Sequence, residues 1–193
     1  MSGMKTRLSA LDADVLRSRL DEWGYACIPS LLGAKDCAAL TRCYDGKSSF
    51  RNHVIMARHG FGQGEYKYFD DPLPDVVQAL REALYPPLAA IANRWNGVLG
   101  VDERYPADHA GYRAICHTNG QTKPTPLLLR YGPGDHNRLH QDLYGDEVFP
   151  LQATILLSDP DKDFTGGEFV VTEQRPRQQS RVEVVPLKRG DAV

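Results

Sequence analysis

The two halves of the chain differ in how their apolar residues are spaced. Up to about residue 100 these residues recur with the three-to-four-residue spacing of amphipathic helices. In the first stretch, which Gly24 ends, they are Leu11, Val15, Leu16, Leu20 and Trp23. We predict a second helix over residues 34–44 and a third that starts near Asp75. The third helix should kink or break at Pro86 and Pro87, because proline lacks the backbone N–H that a helix interior uses.

The second half consists mainly of short β-rich runs separated by glycine, proline and aspartate. The runs are PLLLRYGPG, VFPLQATILLS, GGEFVVTEQ and SRVEVVPL. Such spacing is typical of an antiparallel sandwich or barrel, and a jelly roll is among the options. Helices followed by strands predict an α+β fold in which the N-terminal helices cover one face of a sheet. We expect one domain over residues 1–193, with 1–100 as a mainly helical support and 101–193 as the sheet core.

The run VFPLQATILLS predicts a strand with one apolar face and one mixed face, because side chains alternate along a strand. Ala153, Ile155 and Leu157 form the apolar face, which should pack on helices. The mixed face suits a partly wet pocket and contains Gln152, Thr154 and Leu156. We also place Tyr131, at the end of LLLRY, on the pocket side.

Net charge gives little reason to expect a polyanionic partner. The chain carries a formal charge of −2 and has a pI of about 6.3, so nucleic acid is an unlikely partner unless the local cluster of Arg175, Arg177 and Arg181 forms a patch. No apolar run reaches the roughly 18 to 20 residues needed to span a bilayer, and the N-terminus lacks an apolar signal core. We therefore expect a cytoplasmic protein with no membrane contact. The sequence leaves the oligomeric state open.

Residues 47–74 connect the second and third predicted helices and contain the glycine-rich run RHGFGQGEYKYF. Connections of this length without secondary structure are uncommon in compact domains and are usually functional or disordered. The aromatic residues argue against simple disorder. The sequence leaves two interpretations open, a packed structural loop and a lid over a substrate.

One histidine and one aspartate carry the strongest chemical signal. His140 and Asp142 are two residues apart, so on an extended strand their side chains emerge on the same side. An imidazole nitrogen and a carboxylate oxygen could then converge on one iron(II) ion, which a third ligand would complete as a facial triad. The HxD spacing alone is weak evidence, because it also arises by chance, but its place between predicted strands strengthens it.

Several motifs in order make the chain resemble a known family. They are LLLRYGPG, LHQD, TILLS, TGGEF and RGDAV, and GEYKYF, PTPLLLRYG, HQDLYG and FPLQ extend the likeness. Together they resemble the prolyl-hydroxylase-type branch of the iron(II)- and 2-oxoglutarate-dependent oxygenases, with uncharacterised bacterial members as the nearest match. The resemblance implies a double-stranded β-helix, which is a jelly roll.

The resemblance also implies a reaction and a set of site residues. A C–H bond of a protein side chain or small molecule would be hydroxylated while 2-oxoglutarate is converted to succinate and carbon dioxide, with ascorbate as a candidate accessory reductant. His140 and Asp142 would be catalytic iron ligands, and Tyr131 would hydrogen-bond the co-substrate. The pocket around the co-substrate would be lined by Gln152, Thr154 and Leu156. The sequence does not identify the substrate.

Two elements of the family pattern have no counterpart in these residues. They are a distal histidine ligand and a basic residue that clamps the far carboxylate of 2-oxoglutarate, and both are expected after Val193. We therefore expect the closing strands of the jelly roll to be missing from the 193 residues. The alternatives are a loop histidine such as His117 as third ligand, a non-catalytic jelly-roll binding module with a degenerate metal site, and a cupin-like isomerase or hydrolase.

Overall fold

The computed structural model describes residues 6–8, 11–143 and 145–193. The chain divides into two compact units, one made of Met1–Cys43 with Ala153–Val193 and the other of Tyr44–Gln152. The helices are α1 (Ala13–Trp23), α2 (Ala34–Cys43), α3 (Asp75–Leu99) and α4 (His109–Thr118), with a 3-10 helix at Met56–His59. The strands are β1 (Phe50–Ile55), β2 (Gly62–Gln63), β3 (Glu65–Phe69), β4 (Leu127–Arg130), β5 (His136–Asn137), β6 (Phe169–Glu173) and β7 (Arg181–Val185).

Helix α1 begins and ends at side-chain and backbone caps. Asp12 Oδ1 accepts hydrogen bonds from the backbone N–H groups of Asp14 and Val15, at 2.9 and 3.1 Å, which satisfies two donors that the first helical turn leaves free. Gly24 ends the helix in the left-handed conformation, with φ +73°. The buried face is narrower than predicted: Leu16 and Leu20 are buried, whereas Val15 and Trp23 are 57% and 48% exposed.

The centre of the first unit is an extended segment that pairs on both sides. Ala192 exchanges two backbone hydrogen bonds with Ile28, at 2.8 and 3.0 Å, and Val193 exchanges two with Thr154, at 2.8 and 2.9 Å. Ala192 is only 1% exposed. The motif RGDAV, at 189–193, therefore ends in an extended and paired segment. The strand expected across VFPLQATILLS is reduced to an isolated bridge at Ile155. Of its predicted apolar face, Ile155 and Leu157 are half-buried and Ala153 is exposed.

The second unit contains an antiparallel sheet in the order β1-β3-β4, and two further strands, β2 and β5, pair with each other. Residues 47–74 are thus mostly β1, the 3-10 helix, β2 and β3, and the prediction of a long loop was wrong. The glycines that suggested a loop make the reversals between these strands, since Gly60, Gly62 and Gly64 all have positive φ. Alternation of polar residues with tyrosine in EYKYF was an overlooked strand signal.

Helix α3 runs 25 residues and continues through Pro86 and Pro87, so the expected break does not occur. The two prolines withhold donors from the carbonyl groups of residues 82 and 83. Pro86 and Glu82 are exposed, where water can satisfy a freed carbonyl. The same helix packs in an aromatic cluster with the residues around it. This packing outweighs the low helix propensity of the two prolines. The cluster contains Tyr85, Ala89, Ala92 and Tyr105, with Tyr112 and Phe149 packed on it.

The described residues form one three-stranded and two two-stranded antiparallel sheets without a closed barrel. The α+β class is confirmed, and the jelly roll is not. No helix in the described ranges is long and apolar enough to cross a membrane.

Candidate functional site

The loop from Tyr131 to Asp142 carries the predicted metal ligands and is held at several points. Gly132 N donates to Asp135 Oδ2 at 2.7 Å, and Asp135 N donates to Gly132 O at 3.0 Å, which closes a tight turn. Strand β5 then pairs with β2, and Arg138 N donates to Phe61 O at 2.8 Å. This backbone pairing ends two residues before His140 and so positions the start of the HxD motif.

His140 and Asp142 are brought together as predicted. His140 Nε2 lies 3.3 Å from Asp142 Oδ1, and the two side chains are 45% and 41% exposed. A cation bonded to both atoms at about 2.1 Å, with an angle near 90°, would hold them about 3.0 Å apart. The observed separation is close to that value. The pair could therefore chelate one metal ion after a small adjustment.

The second ring nitrogen of His140 has a partner of its own. His140 Nδ1 lies 2.7 Å from the carbonyl oxygen of Arg138, and a carbonyl can only accept, so Nδ1 carries the proton of this hydrogen bond. In the neutral imidazole the lone pair is then on Nε2 and faces Asp142. A lone pair beside a carboxylate is unfavourable unless a proton or a metal cation lies between them. The arrangement thus suits either a metal ion or a protonated histidine.

The described residues bring together two side chains that suit the predicted facial triad, which needs three. Among them no three histidine, cysteine, aspartate or glutamate side chains come close enough to hold a metal ion. One imidazole and one carboxylate fit two positions of an iron(II) site, and no loop histidine in the described part of the chain completes it. A third ligand after Val193 stays a prediction.

Tyr131 lines an open cleft of about 460 Å³ in the second unit. The other lining residues are Ile55, Gly64, Glu65, Arg130, Gly132 and Asp135. Tyr131 passes so close to Gly64 that a Cβ atom there would lie 2.7 Å from Tyr131 Cδ1. Desolvation raises the pKa of the Tyr131 hydroxyl although the ring is 44% exposed. The hydroxyl therefore stays protonated at neutral pH and can donate a hydrogen bond to a ligand.

A charged network beside this cleft was missed at the sequence level. Glu65 bridges three strands: its Oε2 lies 2.6 Å from His53 Nε2 on β1, and its Oε1 accepts from Arg130 Nε on β4 at 2.7 Å. Arg130 also donates to both oxygens of Asp45, at 2.9 and 3.0 Å, and its guanidinium lies 4.2 Å from the centre of the Tyr44 ring. The residues are far apart in sequence, so only the strand register could have revealed the network.

The network shifts the pKa values of its members in the directions its contacts dictate. Burial by itself would raise the pKa of Glu65, but hydrogen bonds from Arg130 and His53 outweigh it and lower that pKa. Burial, aided by the nearby Glu65 carboxylate, raises the pKa of Tyr44 to about 12. Because its pKa is lowered, Glu65 is ionised at neutral pH. The ionised carboxylate of Glu65 is already paired with Arg130 and hydrogen-bonded to His53.

The remaining predicted pocket residues are backbone-paired or exposed. Thr154 and Leu156 form backbone hydrogen bonds with the segment at 190–193, and both are half-buried. Gln152 is exposed and belongs to the other unit. Their role around a co-substrate stays a prediction.

Comparison with known proteins identifies a family for most of the chain. Residues 64–193 match the Oxygenase-NA family, which is described as "Oxygenase, catalysing oxidative methylation of damaged DNA". Two curated proteins of Mycobacterium tuberculosis strains, "Uncharacterized protein MT2286" and "Uncharacterized protein Rv2227", are each 51% identical over 122 residues, covering 63% of this chain. The chain spans about half the length, 52%, of these curated relatives. No solved structure matches it.

Two expectations from the sequence are corrected by this match. The prolyl-hydroxylase-type branch was the wrong family; motifs such as HxD and Gly-Gly serve metal binding and strand turns, so they do not separate one oxygenase branch from another. The expectation that nucleic acid is an unlikely partner was also wrong, because the family description names damaged DNA. That expectation gave more weight to the net charge of the whole chain than to the local cluster of Arg175, Arg177 and Arg181.

Proposed function

This chain belongs to the Oxygenase-NA family, and on that premise we propose that it is part of an iron(II)- and 2-oxoglutarate-dependent oxygenase that hydroxylates a C–H bond of a damaged DNA base. The observation that carries the proposal is the 3.3 Å approach of His140 Nε2 to Asp142 Oδ1, with Nδ1 engaged elsewhere. The match over residues 64–193 supports an oxygenase that acts on damaged DNA.

His140 and Asp142 are the proposed iron ligands. Arg138 O holds the imidazole so that Nε2, and not Nδ1, faces the metal position, and such hydrogen bonds orient metal-binding histidines in general. When bound, iron(II) with 2-oxoglutarate and dioxygen would supply the oxidant, and 2-oxoglutarate would be released as succinate and carbon dioxide. In this proposal the strands belong to a jelly roll that is incomplete in these residues.

Tyr131 is the residue that we propose to bind the co-substrate. Its hydroxyl is protonated at neutral pH and lies at an open cleft. A protonated phenol can donate to a carboxylate oxygen of 2-oxoglutarate. On the sequence alone, Gln152, Thr154 and Leu156 remain proposed co-substrate-binding residues. Ascorbate, if it is required, would act only to keep the iron reduced.

Damaged DNA is the proposed substrate because of the family description. An enzyme that acts on a base must reach it outside the stacked duplex, so a single strand or a flipped nucleotide is the form expected to bind. The exposed Leu139 and Leu143, which flank the His140–Asp142 pair in sequence, offer apolar surface beside the proposed metal ligands. Such surface suits the face of a base.

The decisive experiment is an anaerobic titration of the purified protein with iron(II) and 2-oxoglutarate. The chelate has a weak visible charge-transfer band, which we expect to appear in the wild type and to be absent from Asp142→Ala. Succinate release is then measured with single-stranded oligonucleotides that each carry one methylated base, and with undamaged strands as the control. If the band appears but DNA does not stimulate succinate release, the proposed DNA substrate is wrong and the proposed oxygenase chemistry still holds.

A non-catalytic binding module is the second candidate function. It is favoured by the absence of a three-residue metal cluster from the described residues. In that case oligonucleotide would still bind, but neither the charge-transfer band nor succinate would be detected. The same titration therefore separates the two candidates.

A further inference from the structure

The loop between β6 and β7 is the most basic exposed segment of the first unit. Strands β6 and β7 pair in register from Phe169 with Val185 to Glu173 with Arg181, and every residue from 173 to 184 is exposed. The loop residues are Gln174, Arg175, Pro176, Arg177, Gln178, Gln179 and Ser180, followed by Arg181 at the start of β7. A firmly paired hairpin therefore projects this loop into solvent.

The loop offers hydrogen-bond donors and positive charge, and the carboxylate that pairs with it is that of Glu173, at the end of β6. Residues 174–181 include three arginines, three glutamines and one serine, and neither aspartate nor glutamate. Arginine has five donors in a planar fork that fits two oxygens of a phosphate, and glutamine and serine donate to single oxygens. Contacts of these types make up most of the bonds that proteins form with DNA phosphates. The chemistry of the loop thus matches a phosphodiester backbone.

Charge complementarity is local and not a property of the whole chain. The formal net charge is −2, so overall electrostatics would repel a polyanion weakly. Arg175 Nε lies 2.6 Å from Glu173 Oε1, which partly neutralises one loop cation. Arg177 and Arg181 are exposed, and the ion pairs found among the described residues do not include them. The hairpin therefore presents Arg177 without an ion-pair partner among the described residues, Arg181 opposite Glu173 in the strand register, and Arg175 partly neutralised.

The backbone at the tip of the loop is unusual for its sequence. Arg177 has φ +61°, a left-handed conformation that favours glycine and costs a non-glycine residue roughly 1 kcal/mol. The chain keeps an arginine where glycine would be less strained. This does not identify a ligand, but it permits a clean substitution: Arg177→Gly removes the charge and suits the backbone.

We propose that the β6–β7 hairpin contacts the phosphodiester backbone of the DNA substrate through Arg177 and Arg181, with Arg175 available when it leaves Glu173. This inference rests on the proposed nucleic-acid substrate and goes beyond it, because it assigns substrate binding to a hairpin that carries none of the proposed iron ligands. The contacts would position the strand without reading its sequence.

The expected size of the effect follows from counterion release. For single strands the slope of log affinity against log salt is about −0.7 for each phosphate contact, so one contact is worth a factor of about 5 at 0.1 M salt. Loss of two contacts should weaken binding about 25-fold and loss of three about 100-fold. The slope itself should fall in magnitude by about 1.4 to 2.1.

The test is fluorescence anisotropy with a labelled, undamaged single strand of about 16 nucleotides, measured at several salt concentrations. The triple variant Arg175→Gln, Arg177→Gln, Arg181→Gln is compared with a control that loses the same charge at other exposed sites, Arg17→Gln, Lys35→Gln, Lys123→Gln. We expect the hairpin variant to lose affinity and salt slope as above, and the control to change less than about 5-fold. Unchanged unfolding midpoints show that both variants are folded.

Two single substitutions sharpen the result. Glu173→Gln should tighten binding, because it releases Arg175 from its ion pair, whereas Arg177→Gly should weaken it about 5-fold without loss of stability. Equal affinities and slopes for the hairpin and control variants would overturn the inference and leave the proposed function standing. No binding by the wild type would also overturn it, and succinate release would then decide separately whether the oxygenase proposal holds.

Discussion

The Nδ1 atom of His140 lies 2.7 Å from the carbonyl oxygen of Arg138, so the backbone two residues upstream fixes the orientation of the imidazole. The contact uses the carbonyl and not the side chain of Arg138. Any residue at position 138 can therefore provide it, which makes that position a useful control for tests of the metal site.

Removing either proposed ligand should abolish iron-dependent activity and leave the fold intact. For His140→Ala and Asp142→Ala we expect turnover to fall by at least about 100-fold, since loss of outer-shell partners alone costs 10- to 100-fold at metal sites. Stability should change little because both side chains are more than 40% exposed. Activity and urea unfolding are measured in parallel, with Arg138→Ala as the matched control. Unfolded ligand variants would show that the pair is structural.

Tyr131→Phe should raise the concentration of 2-oxoglutarate required for half-maximal activity. The substitution removes one hydroxyl and keeps the ring that packs against Gly64, and a lost hydrogen bond of about 1 kcal/mol corresponds to roughly a 5-fold increase. Tyr25→Phe, in the other unit, is the control. An unchanged requirement for 2-oxoglutarate would remove Tyr131 from the site.

Stability should fall in acid partly through Glu65. Its pKa is lower in the folded chain than in the unfolded chain, because Arg130 and His53 bond to the carboxylate. A carboxyl of this kind stabilises the fold fully above its unfolded pKa, and this stabilisation disappears as the pH falls through the lower, folded pKa. Glu65→Gln should therefore be less stable than wild type at pH 7. The difference in unfolding midpoint should shrink below about pH 4; a difference that is constant with pH would contradict this.

Gly190→Ala should destabilise the first unit strongly. A Cβ atom at this position would lie 2.1 Å from Leu32 O, and φ is +88°, so both contact and backbone conformation oppose a side chain. We expect a loss of about 2 kcal/mol or more. Gly97→Ala is the control, since nothing lies within 4 Å of its Cβ position in α3, and it should stabilise by about 0.5 to 1 kcal/mol. Urea unfolding measures both, and equal effects would refute the prediction.

The helices of the first hundred residues were predictable from the sequence because their signals are local, whereas α4 (His109–Thr118) lies in the part where a sheet core was expected. Gly24 ends α1 and Asp75 begins α3 as expected. The boundary of α2 differs by one residue, since it ends at Cys43. Pro86 was misleading because the carbonyl group that it leaves without a donor lies on the exposed side of α3. The opposite side of this helix packs against an aromatic cluster. Tertiary packing decides such cases, and the sequence does not display it.

Sheets and the site were predictable only in part because they depend on distant residues. His140 and Asp142 could be paired from their spacing, which concerns two positions of one segment. The bonds of Glu65 to His53 and Arg130 depend on the register of three strands, which no local pattern fixes. The glycines near residue 62 were taken as a loop signal, although they form the reversals of a sheet. The cluster of Arg175, Arg177 and Arg181 was visible in the sequence, but it was given less weight than the net charge.

The pairing of residues 190–193 with residues 28–32 has a consequence for folding during synthesis. Ser30 N donates to Asp191 Oδ1 at 2.7 Å, across 161 positions. The segment at 28–32, between helices α1 and α2, leaves the ribosome early. It can pair with residues 190–193 only after the continuous unit at 44–152 has emerged. Such non-local pairing is slow because a long loop must close first. During this interval Leu31 and Leu32, which are 0% and 2% exposed in the folded chain, are open to solvent, which makes the nascent chain a natural client for chaperones.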